Sequence, residues 1–143
     1  MGVLSHLPKI GVGAIVVFGV GIIGWNMTNS GSRSANVDVS VPELSSHAVA
    51  GQAAFQQSCA SCHGDNGSGS DKGPPLIHNI YNPGHHGDGS FFMAVQRGVR
   101  AHHWPFGNMP PQPQVTERQT AQIVRFIREV QVANGITSQP HKM

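Results

Sequence analysis

Cys59-Ala60-Ser61-Cys62-His63 holds both cysteines of this chain and sets a histidine directly after the second. A Cys-x-x-Cys-His run is the attachment signature of a c-type haem. Each thiol adds across one vinyl group, and the two-residue spacer lets a single helical turn reach both vinyls. The adjacent imidazole is then carried to the iron as its proximal ligand. Other uses of the pair fit less well. A thioredoxin-like redox pair belongs in a βαβ setting, whereas the flanks here read as helical and glycine-rich. A structural zinc site wants four ligands at regular spacing, and a disulfide across two residues is strained. One such motif occurs and no internal repeat accompanies it, so one haem is expected.

Outward from the motif, the pattern predicts helices and loops. His47 to Ala60 reads as a first helix capped by Ser45 or Ser46, with Gly51 and Phe55 four apart on one face. A second segment begins at Asp88 as its cap, and Phe91, Phe92, Val95 and Val99 keep helical spacing up to Gly98 and Arg100. Thr116 with Gln119 forms a capping-box pattern for the last helix. Along that helix Ile123, Phe126, Ile127 and Val130 fall at i, i+3, i+4 and i+7, while Arg118, Arg125, Arg128 and Glu129 take the wet face. Asn134-Gly135 ends it. Gly/Pro-rich loops cover 64–87 and 101–115, and no convincing strand emerges.

The order Gly51-x-x-x-Phe55-x-x-x-Cys59-x-x-Cys62-His63-Gly64, then Gly73-Pro74-Pro75-Leu76, then Met109-Pro110, resembles the class I monohaem cytochromes c over about residues 47–137. The resemblance implies an all-α cytochrome c fold, three main helices around one haem c bound through Cys59 and Cys62. It implies that Gly51 and Phe55 meet Ile123 and Phe126 where the first and last helices cross. It implies His63 and Met109 as axial ligands, with the Pro74 carbonyl accepting from the proximal imidazole and Leu76 packed on the haem face. Pro105, Pro110, Pro111 and Pro113 stiffen the loop that presents Met109, which helps hold a weak thioether donor. Met93 reads as a gap-filling side chain of the second helix. Trp104 has a ring to shield the haem edge and an N–H to meet a propionate, or else anchors its own loop; Tyr81 carries the same two readings.

Histidines crowd the loops between the attachment site and Met109: His78, His85, His86, His102 and His103. They read as solvated loop residues, as alternative axial ligands, or as imidazole donors for Cu(II). The paired His85-His86 and His102-His103 mark the alternative of a haem-linked copper-handling protein.

The first third of the chain addresses a membrane. Lys9 precedes an uncharged stretch from Ile10 to Trp25, short for a span and long for a signal core, with Trp25 suited to an interface. With the positive charge of Lys9 on the inner side, the C-terminal part of the chain is exported, which agrees with covalent haem. The chain accordingly divides into a cytoplasmic n-region (1–9), a transmembrane anchor or uncleaved signal (10–27), a polar tether (28–46), the haem domain (47–137) and a tail (138–143). As a flexible coil the tether would span about 25 Å.

From Ala35 onward seven Lys and Arg balance seven Asp and Glu, so the net +2 resides in Lys9 and Arg33. Nucleic-acid binding has no electrostatic footprint in such a balance. At 38% hydrophobic and 11% charged with 18 Gly, the chain is loop-rich rather than disordered. A domain this small gains much of its core from an apolar cofactor. The expected function is one-electron transfer, not enzymatic catalysis, at a bacterial inner membrane with the haem domain in the periplasm, or free in the periplasm after signal cleavage. A quinol-oxidising complex or dehydrogenase would donate and a terminal oxidase or reductase would accept, as in a respiratory chain; the chain would act as a carrier or as a subunit of a larger oxidoreductase.

Overall fold

The computed structural model describes residues 35–140. The expected anchor at 10–27, the n-region, the first part of the tether and the last three residues of the tail lie outside the described residues. Among the described residues no helix is long and apolar enough to cross a membrane.

Helix α1 spans Ser46–Ser58, capped by the Ser45 hydroxyl, which accepts from the Ala48 N–H at 3.3 Å. Cys59 breaks the helical path with φ −123°, and a short α2, Ala60–His63, comes immediately after it. Helix α3 spans Asp88–Arg97 and α4 spans Glu117–Ala133. The Thr116–Gln119 capping box forms as the sequence indicates. At the far end of α4, Gly135 adopts φ +77°, a left-handed turn that glycine reaches without strain. Gly135 N–H bonds the Val132 carbonyl and Ile136 N–H bonds the Gln131 carbonyl, so the orphan acceptors of the last turn are satisfied.

The core is the crossing of α1 on α4. Gly51 permits it: a Cβ there would collide with the Gln122 carbonyl of α4. Phe55 and Phe126 meet beside this contact, rings 5.6 Å apart and both fully buried. Ile123, Ile127 and Val130 complete the stripe. Burying each such side chain contributes roughly 1.5–3 kcal/mol. Among the described residues the one β-type pairing is an isolated bridge between Val99 and Met109.

Four features depart from the expected pattern. Asp88 is the first helical residue of α3 rather than its cap, because Gly87 takes the cap position and the Asp88 carboxylate is drawn to Arg128 at 2.8 Å. Arg128 is not on the wet face; its side chain is only 14% exposed. Its guanidinium donates to Asp88, to the carbonyls of Tyr81 and His86 at 2.7 and 2.6 Å, and to Gln131 Oε1, and lies over the Phe91 ring. Met93 is 46% exposed, so it fills no core gap. Finally, the described end of the expected tether, from Ala35 to Ser45, is docked. Val37 and Val39 pack on the core, Val37 N–H bonds Ser68 O, and Ser40 and Asn134 exchange hydrogen bonds at 3.0 and 2.7 Å. Ala35–Ser45 thus forms an extended strap on the domain rather than a free tether.

Candidate functional site: an apolar cavity between His63 and Met109

The site begins at the break after α1. The Cys59 N–H still bonds the Phe55 carbonyl, and the Cys59 carbonyl accepts from both Cys62 N–H (3.1 Å) and His63 N–H (2.9 Å). One tight turn thus carries Cys59, Cys62 and His63 together. Cys59 is half-buried and Cys62 exposed; burial, with the neighbouring Cys62 adding to it, pushes the Cys59 thiol up to about 11.

After His63 the chain folds back under its own turn. Gly69 N–H bonds the His63 carbonyl at 2.6 Å, and the Ser70 hydroxyl bonds the Cys62 carbonyl at 2.6 Å. Gly73 lies so near that a Cβ would stand 2.8 Å from the Cys62 carbonyl oxygen. This return brings the Pro74 carbonyl to 2.9 Å from His63 Nδ1. A carbonyl only accepts, so Nδ1 carries the proton and Nε2 keeps its lone pair. Burial lowers the His63 pKa, partly offset by that hydrogen bond, and the ring stays neutral as a ligand must.

Elsewhere on the border of the site, α3 leads through Gly98 into Val99, whose N–H and carbonyl pair with those of Met109. The Ala101 N–H bonds Asn108 Oδ1 at 2.9 Å and closes the intervening loop. His63, Cys59, Pro74, Leu76, Trp104 and Met109 all line one cavity of about 570 Å³, so every site residue expected from the sequence except the exposed Cys62 borders it. Its remaining wall is mostly apolar, including Phe55, Phe91, Val95, Val99 and Ile123.

One polar group at the border is left over by the protein itself. Trp104 Nε1 is buried with no hydrogen-bond partner of good geometry, and its ring meets His78 edge-on at 5.2 Å. Tyr81 lies beside it; burial drives the phenol up to about 12, with the Trp104 indole pulling slightly the other way. An orphaned donor at the edge of an apolar slot suits a ligand that is apolar in its body and anionic at one edge, and haem with its propionates has that character. The residues present therefore fit the group.

Sequence reasoning missed Gln131. It is fully buried, and its Nε2 donates to the carbonyls of Leu76 (2.9 Å) and Tyr81 (3.0 Å), pinning the return loop that bears Pro74 and Leu76. The signal was present: Gln131 continues the apolar series Ile123, Ile127 at i+4 steps, and a polar residue in such a stripe needs buried partners.

No curated protein and no solved structure gives a significant match to the chain. A family model described as Cytochrome c matches residues 48–131, more than half of the 143-residue chain and the whole of the turn, the return loop and the Met109 wall. The chain belongs to the cytochrome c family, whose members bind haem c and serve electron transfer.

Proposed function

We propose that the chain is a one-electron carrier holding a single haem c through thioethers at Cys59 and Cys62, with His63 and Met109 as axial ligands. The observation that carries this reading is that His63, its Nδ1 committed to Pro74, and Met109, its backbone paired to Val99, border the same apolar cavity. Bound haem supplies a one-electron Fe(III)/Fe(II) couple.

The protein's residues do the rest. His63 presents Nε2 as donor, and the Pro74 carbonyl both fixes the ring and raises its basicity. Met109 offers a soft thioether, which favours the reduced metal and raises the potential. With His63 and Met109 both holding the iron, no position would remain for a substrate, which favours a carrier over a haem enzyme or gas sensor. Phe55, Leu76, Val95 and Ile123 keep water from the centre. The unpartnered Trp104 Nε1–H, on a residue that lines the cavity, would serve as a donor to a carboxylate edge.

The hydrophobic run Ile10–Trp25 after Lys9 supports export and anchoring at a bacterial inner membrane, with the haem domain on the periplasmic side. An anchored domain works at high effective concentration beside membrane oxidoreductases. Donors of the quinol-oxidising or dehydrogenase type and acceptors of the oxidase or reductase type suit that place.

The test is a redox-titrated absorption spectrum of protein matured in a host that attaches haem. A mass increase of one haem, a low-spin spectrum, the red sulfur-to-iron charge-transfer band and a one-electron Nernst curve are expected. A colourless product of unmodified mass would refute the haem; a high-spin spectrum without the band would refute Met109.

A further inference from the structure

Beyond the haem, we propose that His85, His86 and His103 form a second metal site, a three-imidazole site for Cu(II) and, more weakly, Zn(II), at the rim of the haem cavity. One ligand-capable nitrogen from each of the three rings falls within 4.8 Å of the others. Two of the residues are half-buried and one is exposed, so the cluster is both built and reachable.

The spacing suits a cation. Nitrogens at about 2.0–2.1 Å from a common tetrahedral ion lie roughly 3.3 Å apart. His85 Nε2 and His103 Nε2 stand 3.2 Å apart, although they come from segments 18 residues distant in sequence. With no ion, one ring donates its Nε2–H to the other; to bind an ion, the donating ring passes to its Nδ1–H tautomer, so that both Nε2 lone pairs face the ion.

The surroundings also fix the tautomer of His86. His86 Nδ1 donates to the Ile80 carbonyl at 2.7 Å, which leaves Nε2 with its lone pair. His102 Nδ1 donates to the Arg100 carbonyl at 2.8 Å, and its ring lies 4.2 Å from that of His103, so it flanks the cluster. An N–H committed to a carbonyl behind a ligating imidazole is the arrangement that orients histidines on metals. The backbone is held as well. His85 and His86 N–H both bond the Asn82 carbonyl, and Arg128 bonds the His86 carbonyl at 2.6 Å. Neutral imidazoles without a carboxylate among them select borderline cations, and Cu(II) ranks highest in the divalent series.

His86 and His103 border the cavity together with Tyr81 and Trp104. A dication there adds positive charge at the haem edge and disfavours the ferric state, so its binding raises the haem potential. By reciprocity, the reduced protein binds the ion more tightly. This consequence rests on the electron-carrier reading; the binding itself does not.

The experiment uses the mature haem protein in its ferric state. Cu(II) titrated with paramagnetic resonance should give one equivalent of a copper signal with nitrogen couplings, and Zn(II) calorimetry should give one saturable event. His85→Gln and His103→Gln should each weaken binding by tenfold or more, with the haem spectrum unchanged to certify folding. His47→Gln, an exposed histidine elsewhere, should bind as wild type. Equal uptake by the wild type and the His85→Gln/His103→Gln double variant, or no saturable uptake, would overturn the site. With Zn(II) bound the haem midpoint should rise; binding without that rise would refute the coupling and leave the site.

Discussion

Met109 and Val99 exchange two backbone hydrogen bonds, at 2.9 and 3.0 Å, so the candidate sulfur ligand is tied to the exit of α3 and not left to a free loop. Gly98, one residue earlier, sits at φ +74° with its Cα turned to the Met109 carbonyl, and a Cβ there would also stand 3.1 Å from the Pro111 ring. Gly98→Ala should therefore strain the turn and displace Met109 at a cost of about 1–3 kcal/mol. Denaturation of the haem-loaded protein reads the cost, and a weakened sulfur-to-iron band reads the displacement.

Met109→Ala removes the thioether while leaving its backbone bridge to Val99 in place. The charge-transfer band should vanish and the midpoint potential fall by tenths of a volt, within the span of about 0.8 V that axial ligands command. An unchanged potential in the redox titration would place the sixth ligand elsewhere.

At the α1–α4 crossing there is no room for a methyl group. Gly51→Ala forces a carbon onto the Gln122 carbonyl, and neither backbone can yield without opening the Phe55–Phe126 contact. Stability of the haem-loaded protein should drop by about 3 kcal/mol, at the upper end of ordinary overpacking. The same substitution at the exposed Gly89, where a Cβ would meet nothing, serves as the control and should change stability little.

Gln131→Leu keeps the bulk of the side chain but strands the Leu76 carbonyl and one bond to the Tyr81 carbonyl. Losing buried partners in this way costs about 2–3 kcal/mol. Because the return loop that carries Leu76 also holds the Pro74 carbonyl, the haem potential should shift in the same variant, which simple loss of packing would not produce.

Glu129 supplies a pH-dependent increment. Its carboxylate accepts from the backbone N–H and hydroxyl of Ser45, at 3.0 and 2.7 Å, and pairs with Arg125. The Ser45 hydrogen bonds, backbone first, hold its pKa below the ordinary 4.5. A depressed folded pKa means stability that is fully present above pH 4.5 and is lost as pH falls through the lower folded value. Glu129→Gln should therefore cost about 0.5 kcal/mol at pH 7 and nothing once the carboxylate is protonated. Urea titrations of both proteins at several pH values check this.

The helices and the cavity walls were legible because their signals are local or ordered along the chain. The Cys59–His63 motif, the Thr116 capping box and the Ile123–Val130 stripe each need only their neighbours to be read. Gly51, Pro74 and Met109 were legible through resemblance, since nothing in their own flanks tells what they face. What escaped depends on partners distant in sequence. Arg128 looks like a solvent residue until Tyr81 and His86 present their carbonyls to it. Asp88 looks like a cap until that same guanidinium draws its side chain away. The valines at 37 and 39 look like linker because the groove that receives them is assembled by other segments.

Arg128 gathers α4, the start of α3 and the carbonyls of Tyr81 and His86 on one guanidinium. The rim histidines and the buried crossing thus share one tie: Arg128 joins α4 to the backbone of His86. Sequence drift in the interior of this protein would be felt as altered chemistry at its mouth, and selection on that mouth would in turn restrain which interiors are permitted.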